Sequence, residues 1–523
     1  MGPELFIYVA GAVAIAMLVW DTIEVGRNDA ANIVNAVFGA RVLRRKQAVH
    51  IAGLAVIIGA WASSPVMETA RKGIFDPFSL SMQDALAIYL GVYLTDTVLL
   101  YSFSAFGLPI STTAGLVFSL MGGGMALGGF GSVHWGKSGE VVAAIIWSIF
   151  ISGAFGFLVQ RAFRGAIGPN CENVAKVRLH GPWIAGALLT GLAYFIVMKG
   201  MNNVGFVQVV RSLTFDQLGA PFVLIVLWAV LSLAAYIVLN AGGDRFYQKL
   251  FAALAVVGML AIAFAFGQND LANCASPGVA AFMILRHGEV APKIDVPSWL
   301  LLVCGILLAV GMTTRNAQRV TRAEVNTGSQ GDIVRLYAPR WCLWIAQKFV
   351  KPPHPEEALA PEPELDPNKK LQHYDALRAA VITSVSASVI AFASGLGLPV
   401  STTYVAFAAV VATGWADRIF LRGDAALKIG RTIWVVTGWF LSAFIAGLST
   451  AFCAKAISLW GTIGLLVCLA INLTVRYYMK RRADQQEERL MREALERRQQ
   501  LFKGAAPGQP APIFASETDA SEM

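Results

Sequence analysis

Two short polar stretches of nearly the same sequence lie inside apolar runs. GRNDAAN extends from Gly26 to Asn32, and GQNDLAN from Gly267 to Asn273. Each brings two asparagines and an aspartate into apolar surroundings, where a polar group needs a partner or a function. Carboxylate and amide oxygens are hard ligands that suit sodium. We therefore predict a cation site formed by Asn28, Asp29, Asn269 and Asp270, with the two aspartates as the sodium ligands.

A second motif is also present twice, as GLPISTT from Gly107 to Thr113 and GLPVSTT from Gly397 to Thr403. In each copy a glycine provides the turn, and hydroxyl residues fall at the start of an apolar helix. The first N–H groups of a helix lack intrahelical acceptors, and its dipole is positive there, so an anion is favoured. The predicted anion ligands are Ser111, Thr112, Thr113, Ser401, Thr402 and Thr403, together with Asn32 and Asn273.

Helix capping alone is the alternative explanation for both motifs. The duplication argues against it, because two polar motifs recurring in the same order indicate a duplicated membrane fold. We predict an all-α polytopic protein of about 10 to 12 transmembrane helices with two related, inverted repeats. The first helix should be broken near Gly26, and the glycine-rich run from Met121 should form the tip or the return of a re-entrant hairpin.

Composition independently indicates the membrane. The 523-residue chain is 56% hydrophobic and 14% charged, whereas soluble proteins carry about 25% charged residues. The net charge of +9 comes from Lys and Arg beside apolar spans, as expected for orientation signals rather than for nucleic-acid binding. Six scattered cysteines and six histidines form neither a C-x-x-C pair nor an H-E-x-x-H motif, so neither a disulfide framework nor a zinc site is indicated.

The two ordered motif pairs resemble the signatures of the inorganic phosphate transporter (PiT) family, the phosphate permeases, which read roughly GANDVAN and GLPVSTT. The resemblance covers about residues 20 to 130 and 250 to 415. The sequence departs from the pattern at Arg27 and Gln268, where small residues are usual, and at Ala114, where many members have a histidine. The resemblance implies inorganic phosphate as the anion and sodium or a proton as the coupling ion.

The predicted organisation follows the motifs. Residues 1–130 form the first transport repeat, 131–245 scaffold helices that would also suit a homodimer surface, and 246–314 the first part of the second repeat. Residues 315–373 are a cytosolic insert, 374–478 complete the second repeat, and 479–523 form a charged cytosolic tail. Within the insert we expect an interfacial helix in Asp332–Val350 and a flexible linker at Lys351–Pro367.

Two further residues have both a functional and a structural interpretation. Arg27 could bind the anion bidentately, but Glu24 lies three residues earlier and would form a local ion pair. Asp96 would cost about 2.5 to 3.5 kcal/mol at the bilayer centre if it faced lipid. It must therefore face protein or water, where it would assist the cation site, relay a proton or bond a neighbouring helix.

The predicted function is import of phosphate across the plasma membrane, or the inner membrane of a bacterium, by symport with alternating access. A divalent phosphate entering against 100 mV costs about 4.6 kcal/mol, which two cations would cancel. The choice between sodium and proton stays open, as does a sulfate permease of the same fold. A membrane-embedded sensor is the rival from another class; no nucleophile and base pair indicates an enzyme, and no cofactor is expected.

Overall fold

The computed structural model describes residues 3–62, 73–201, 205–287, 297–331, 334, 336–350, 372–421 and 424–503. These residues are almost entirely helical. The helices are α1 Pro3–Gly39, α2 Arg45–Trp61, α3 Met82–Ala105, α4 Thr112–Gly128, α5 Trp135–Ile167, α6 Val174–Leu192, α7 Gly205–Leu213, α8 Phe215–Leu218, α9 Ala220–Gly242, α10 Asp244–His287, α11 Ser298–Met312, α12 Arg315–Thr327, α13 Arg340–Gln347, α14 Ala376–Gly395, α15 Thr402–Ala416, α16 Ala425–Trp460 and α17 Thr462–Lys503.

The prediction of an all-α membrane protein is confirmed. Within the described ranges, nine helices are long and apolar enough to span a membrane, or ten if α11 and α12, bent by 65° at their junction, count as one span. The count reaches the lower end of the expected 10 to 12. The difference arises because α4 and α15, of 17 and 15 residues, are shorter than the roughly 20 residues that a span needs.

Packing relates the two predicted repeats. The long helix α1 packs against α11 and α3, and its counterpart α10 packs against α2 and α14. Likewise α4 packs against α16, and α15 packs against α5. These pairings of one half match those of the other, so the motifs carried by α1 and α10 are placed in equivalent surroundings.

The break expected near Gly26 is not present, and that prediction is wrong. Both α1 and α10 continue through their polar motifs. A Cβ on Gly26 would lie 2.0 Å from the Leu308 carbonyl oxygen, and one on Gly267 would lie 2.3 Å from that of Val56. The motif glycines therefore allow two helices to cross in direct backbone contact, in α1 with α11 and in α10 with α2, rather than bending the chain.

The predicted hairpins are present, and the glycine-rich run from Met121 lies in the returning helix of the first one rather than at its tip. The chain turns between α3 and α4 at Gly107, and between α14 and α15 at Gly397, with φ of +66° and +68°. The glycine-rich run from Met121 stays helical to Gly128. Its glycines bring α4 against α16, since a Cβ on Gly122 would lie 2.1 Å from the Gly447 carbonyl oxygen.

In the region predicted to be scaffold, α9 is largely exposed, and only 6% of its most apolar 18-residue segment is buried inside the protein. In the predicted insert, α12 packs against α1, and α13 exposes Trp341 and Trp344 while it buries Cys342. The linker Lys351–Pro367 and the last twenty residues of the tail lie outside the described residues. The preceding part of the tail is helical, as expected, because α17 continues to Lys503.

One buried ion cluster joins α5 to the second hairpin. Arg164 of α5 bonds Asp375, the N-cap of α14, and Asp417, which follows α15. All three side chains are at most 17% exposed. The cluster therefore holds the start of α14 and the end of α15 together, at the end of the hairpin opposite the Gly397 turn.

Candidate functional site

The four predicted motifs converge into two equivalent clusters at the centre of the fold. In the first cluster, Asn32 of α1 donates through Nδ2 to Asp29 Oδ1 at 2.8 Å and to Thr403 Oγ1 at 3.0 Å. Thr403 of α15 in turn donates to Asp29 Oδ1 at 2.7 Å. Thus the asparagine and aspartate of the first repeat are bonded to a hydroxyl of the second.

The second cluster repeats this arrangement with the halves exchanged. Asn273 Nδ2 donates to Asp270 Oδ1 at 2.8 Å and to Thr113 Oγ1 at 2.8 Å. Thr112 Oγ1 donates to Asp270 Oδ1 at 2.9 Å. The two clusters face each other, because Asp270 is the charged group that acts most strongly on Asp29.

Asn28 and Asn269 hold the hairpin turns against the long helices. Asn28 Nδ2 donates to the Ile110 carbonyl at 2.7 Å, and Asn269 Nδ2 donates to that of Val400, also at 2.7 Å. The Oδ1 atoms of both asparagines accept hydrogen bonds as well, from the Ser104 hydroxyl and the Val400 N–H. Their side chains are therefore occupied on both sides by protein.

The beginnings of α4 and α15 meet at these clusters. Ser111 and Ser401 are the N-caps, accepting from the N–H groups of Ala114 and Tyr404 at 3.0 Å and 3.2 Å. Thr113 Oγ1 donates to the Val400 carbonyl at 2.9 Å. Two helix starts, each with a positive dipole end, are thereby placed beside a pair of carboxylates.

Several buried oxygens in the clusters have no partner among the described residues. They are Asp29 Oδ2, Asn32 Oδ1, Asn273 Oδ1 and Thr402 Oγ1, on side chains at most 2% exposed. Pro277 in α10 has no N–H, so the Asn273 carbonyl also lacks its helical donor. Such a set of buried oxygens is costly when it binds nothing, and it has the chemistry of a hard-cation site.

The carboxylates also lack a compensating charge. Neither Asp29 nor Asp270 forms an ion pair with a lysine or an arginine of the described residues, whose buried, ion-paired arginines contact other acids. Two buried carboxylates facing each other without a basic partner cannot both remain ionised unless a cation or a proton accompanies them.

Of the two accessory candidates, Arg27 is engaged outside the clusters. It forms an ion pair with Glu24 at 2.7 Å and donates to Thr314 Oγ1 at 3.1 Å, as its structural interpretation predicts. Asp96 is buried and lies against Gly115 of α4, where an added Cβ would approach its Oδ1 to 2.9 Å.

Four participants were not identified from the sequence. The carbonyls of Ile110 and Val400 carry no side-chain signal, and Ser104 lies in an ordinary apolar helix. Tyr404 lies next to Ser111 and is stacked on Trp439 with ring centroids 4.0 Å apart. Tyr404 directly follows the second STT, at the position equivalent to Ala114 in the first copy. This position could have identified it from the sequence.

Comparisons with known proteins agree with this architecture. The sequence pattern of the "Phosphate transporter family" matches residues 25–323 and 368–450. A protein of Thermococcus kodakarensis named "Putative phosphate permease" is 28% identical over 446 residues, which cover 84% of this chain and 95% of that protein. A protein of the same name from Haemophilus influenzae is 24% identical over 427 residues, covering 80% and 89% of the two chains.

A solved structure described as "The sodium-dependent phosphate transporter" superposes with a TM-score of 0.65 at 20% identity, covering 87% of this chain and all of the other. At that identity the likeness supports the fold. The family match spans well over half of the sequence and includes the motifs from Asn28 to Thr113 and from Asn269 to Thr403. The chain therefore belongs to the phosphate transporter family.

Proposed function

We propose that the protein is a secondary transporter that imports inorganic phosphate together with cations, by alternating access around the paired central clusters. The observation that carries the proposal is the set of buried, unpartnered oxygens placed between two helix starts. A site of that kind offers ligands to a cation and hydrogen-bond donors to an anion within one dehydrated space.

The hydrogen bonds suggest a division of labour within each motif. Asp29 and Asp270 provide carboxylate oxygens. In Asn32 and Asn273 the Nδ2 groups donate to protein, and the Oδ1 atoms have no partner among the described residues. Amide oxygens suit a cation better than an anion, so we assign these four residues to the cations. Asn28 and Asn269, expected as cation ligands, are assigned instead to positioning the hairpin turns.

The anion is assigned to the starts of α4 and α15. Backbone N–H groups and the hydroxyls of Ser111, Thr112, Thr113, Ser401, Thr402 and Thr403 are the donors there. Thr402 is the hydroxyl best suited to a ligand, since its Oγ1 is buried and makes no hydrogen bond within the described structure.

The same oxygens favour phosphate over sulfate. At neutral pH phosphate carries at least one proton and can donate a hydrogen bond, whereas sulfate cannot. Asp29 Oδ2 is a buried acceptor without a partner among the described residues. A carboxylate oxygen has two lone pairs, so Asp29 Oδ2 can ligate a cation and also accept a hydrogen bond from the phosphate hydroxyl. Sulfate has no donor for this oxygen, and the missing hydrogen bond costs about 1 to 3 kcal/mol.

Charge explains why cations must accompany the anion. Two carboxylates and a divalent phosphate in one buried pocket would repel one another strongly. Each charge moved against 100 mV changes the free energy by about 2.3 kcal/mol, so two cations cancel the electrical cost of one divalent phosphate. The two acidic clusters provide one cation position each, and their oxygen ligands favour sodium over a proton as the coupling ion.

Alternating access would involve the hairpin turns. Each turn is held to its long helix through an asparagine side chain, and the two turns are bridged by Thr113 and Thr403. These bonds can exchange as the repeats rock around the central site. We place the transporter in the plasma membrane, with the exposed α9 as a surface for lipid or a second copy.

Uptake of labelled phosphate into proteoliposomes tests the proposal. We expect uptake to be accelerated by an inward sodium gradient and to resist competition by sulfate. Asp29→Asn should abolish the sodium dependence, whereas Glu140→Gln, which alters an exposed carboxylate on α5, should not. Uptake that is insensitive to imposed sodium and proton gradients would refute symport.

A further inference from the structure

A second group of buried acids lies on the same helices as the central clusters but is separate from them. It comprises Asp21 and Glu24 of α1 and Asp96 of α3, whose side chains are 1%, 0% and 3% exposed. Asp21 precedes Asn28 by two helical turns. None of the three takes part in the hydrogen bonds of the central clusters that the described residues form.

Glu24 is fully compensated. It accepts from Arg27 at 2.8 Å and 2.7 Å, from Arg476 of α17 at 2.5 Å and from the Trp20 indole at 3.1 Å. The Arg476 guanidinium lies over the rings of Trp20 and Tyr101, 4.2 Å from each centroid. Glu24 therefore forms ion pairs with two arginines.

Asp21 is the opposite case. Both of its carboxylate oxygens are buried and have no hydrogen-bond partner among the described residues. The charged group that acts most strongly on it is Asp96, followed by Glu24 and Arg476. The other titratable side chains beside Asp21 in the described structure are Tyr93 of α3 and Cys274 of α10, and neither adds a positive charge.

This group has one positive charge fewer than it has carboxylates. Two arginines, Arg27 and Arg476, face three carboxylates, those of Asp21, Glu24 and Asp96. Full ionisation would leave one uncompensated negative charge in a dry interior, and two facing carboxylates cannot both ionise there. The group therefore takes up one positive charge.

That charge is better supplied by a proton than by a metal ion. An alkali ion needs several oxygen ligands, but the neighbouring Thr97 hydroxyl is used by protein both as donor and as acceptor, since it donates to the Tyr93 carbonyl and accepts from Asn472 Nδ2 at 2.9 Å. The helical backbone of α1 and α3 is continuous here, so its carbonyls are occupied. The central clusters, by contrast, lie beside two non-helical turns.

We propose that Asp21 and Asp96 share one proton and form a proton-binding site distinct from the phosphate and cation site. Asp96 Oδ1 lies against Gly115 of α4, in the first turns of the helix that carries Thr112 and Thr113. Loss of the proton places a second negative charge beside this helix. If the proposed transport function holds, the site makes transport sensitive to pH independently of the protonation of phosphate.

Infrared difference spectroscopy of the reconstituted full-length protein, without phosphate, tests the proton directly. A protonated carboxylic acid in a dry site has a C=O stretch well above the carboxylate bands. The spectra are recorded at saturating sodium, so that cations occupy the central clusters. At neutral pH we expect a component of this band in the wild type that Asp21→Asn and Asp96→Asn each remove, because one neutral amide restores the charge balance and lets the other aspartate ionise. Glu324, a buried acid elsewhere in the protein, contributes a component that neither substitution changes.

The matched control is Glu140→Gln, which removes an exposed carboxylate from α5 and should leave the band unchanged. Since either single substitution suffices, the test survives the misfolding of one variant. A spectrum in which neither single substitution removes a component of the band overturns the proposal. If the component that depends on Asp21 and Asp96 is present only when sodium is omitted at constant pH, the site binds a metal ion, which also overturns it.

Uptake measurements then separate this inference from the transport proposal. Phosphate uptake by Asp96→Asn is divided by uptake by Glu140→Gln at each pH. This ratio should change by several-fold over the pH range in which the wild-type band disappears. The spectroscopic result does not depend on transport, so absence of uptake would refute the proposed function while leaving the proton site intact. A constant ratio would overturn the link between the site and transport.

Discussion

Thr402→Val separates a ligand hydroxyl from a structural one. The substitution removes a buried Oγ1 that makes no hydrogen bond in the described structure and keeps the shape of the side chain. Thr403→Val is the matched comparison, because that neighbouring hydroxyl donates to Asp29 Oδ1 at 2.7 Å and accepts from Asn32 at 3.0 Å. The two variants differ by one position but should fail in different ways.

The magnitudes follow from the hydrogen bonds. Thr403→Val leaves buried partners unsatisfied, so the ligand-free protein should lose about 1 to 3 kcal/mol of stability. Thr402→Val removes at most a weak contact with Asp270, because Thr402 Oγ1 has no hydrogen bond of normal geometry, so its ligand-free stability should fall by less than that of Thr403→Val. A hydrogen bond to a charged ligand contributes about 1.5 to 3 kcal/mol, so Thr402→Val should weaken phosphate affinity by roughly 10- to 160-fold.

Two assays distinguish these outcomes. Thermal unfolding of the solubilised protein without phosphate reports the structural cost, and the additional stabilisation at saturating phosphate and sodium reports binding. The KM for uptake into proteoliposomes gives the affinity independently. If Thr402→Val lowers the ligand-free melting temperature as much as Thr403→Val and leaves KM unchanged, the inference from unpartnered oxygens to ligand binding fails.

Three further predictions concern the fold. Gly26→Ala should destabilise the protein by about 1 to 3 kcal/mol because its Cβ has no room against α11, whereas Gly139→Ala, in open space, should not; thermal unfolding measures both. Arg164→Ala should cost about 3 to 5 kcal/mol by leaving two buried carboxylates unpaired, against at most about 1 kcal/mol for Arg178→Ala in an exposed pair, and equal losses would refute the role of burial. Burial, with two nearby basic side chains, lowers the pKa of His373 from 6.5 to about 4. Between these pH values the unfolded chain binds a proton that the folded chain does not, so stability should fall by up to about 3 kcal/mol as pH falls from 6.5 to 4. In His373→Gln the melting temperature should change less between pH 6.5 and pH 4 than in the wild type. An unchanged dependence of the melting temperature on pH would contradict the prediction.

The sequence was a good guide to local chemistry. The turn at Gly107, the N-cap at Ser111 and the hydroxyls of the first helical turn were all predicted from the GLPISTT pattern, because these features depend on near neighbours in the chain. The membrane class followed equally directly from hydropathy. The pairing of the two motifs followed from duplication, since equivalent residues of related repeats occupy equivalent places.

Local sequence does not decide what glycine and asparagine do at long range. Gly26 was expected to break α1, but its lack of a side chain serves contact with Leu308, which is remote in sequence. The cation-binding role of Asn28 stays a prediction; in the structure its side chain bonds the Ile110 carbonyl 82 residues away. A missing side chain permits either flexibility or close packing, and an amide group can serve backbone or ligand. Local sequence does not distinguish these uses.

The sequence by itself therefore determined which residues are polar within the membrane, that they come in two related sets, and which helix starts can accept an anion. Only the tertiary structure decided which of those polar atoms are used by the protein and which are left for ligands. The reason is that hydrogen-bond satisfaction depends on partners from the opposite repeat, such as Thr403 for Asp29 and Thr112 for Asp270. Those partners are brought within 3 Å of the aspartates only by the crossing of the two halves.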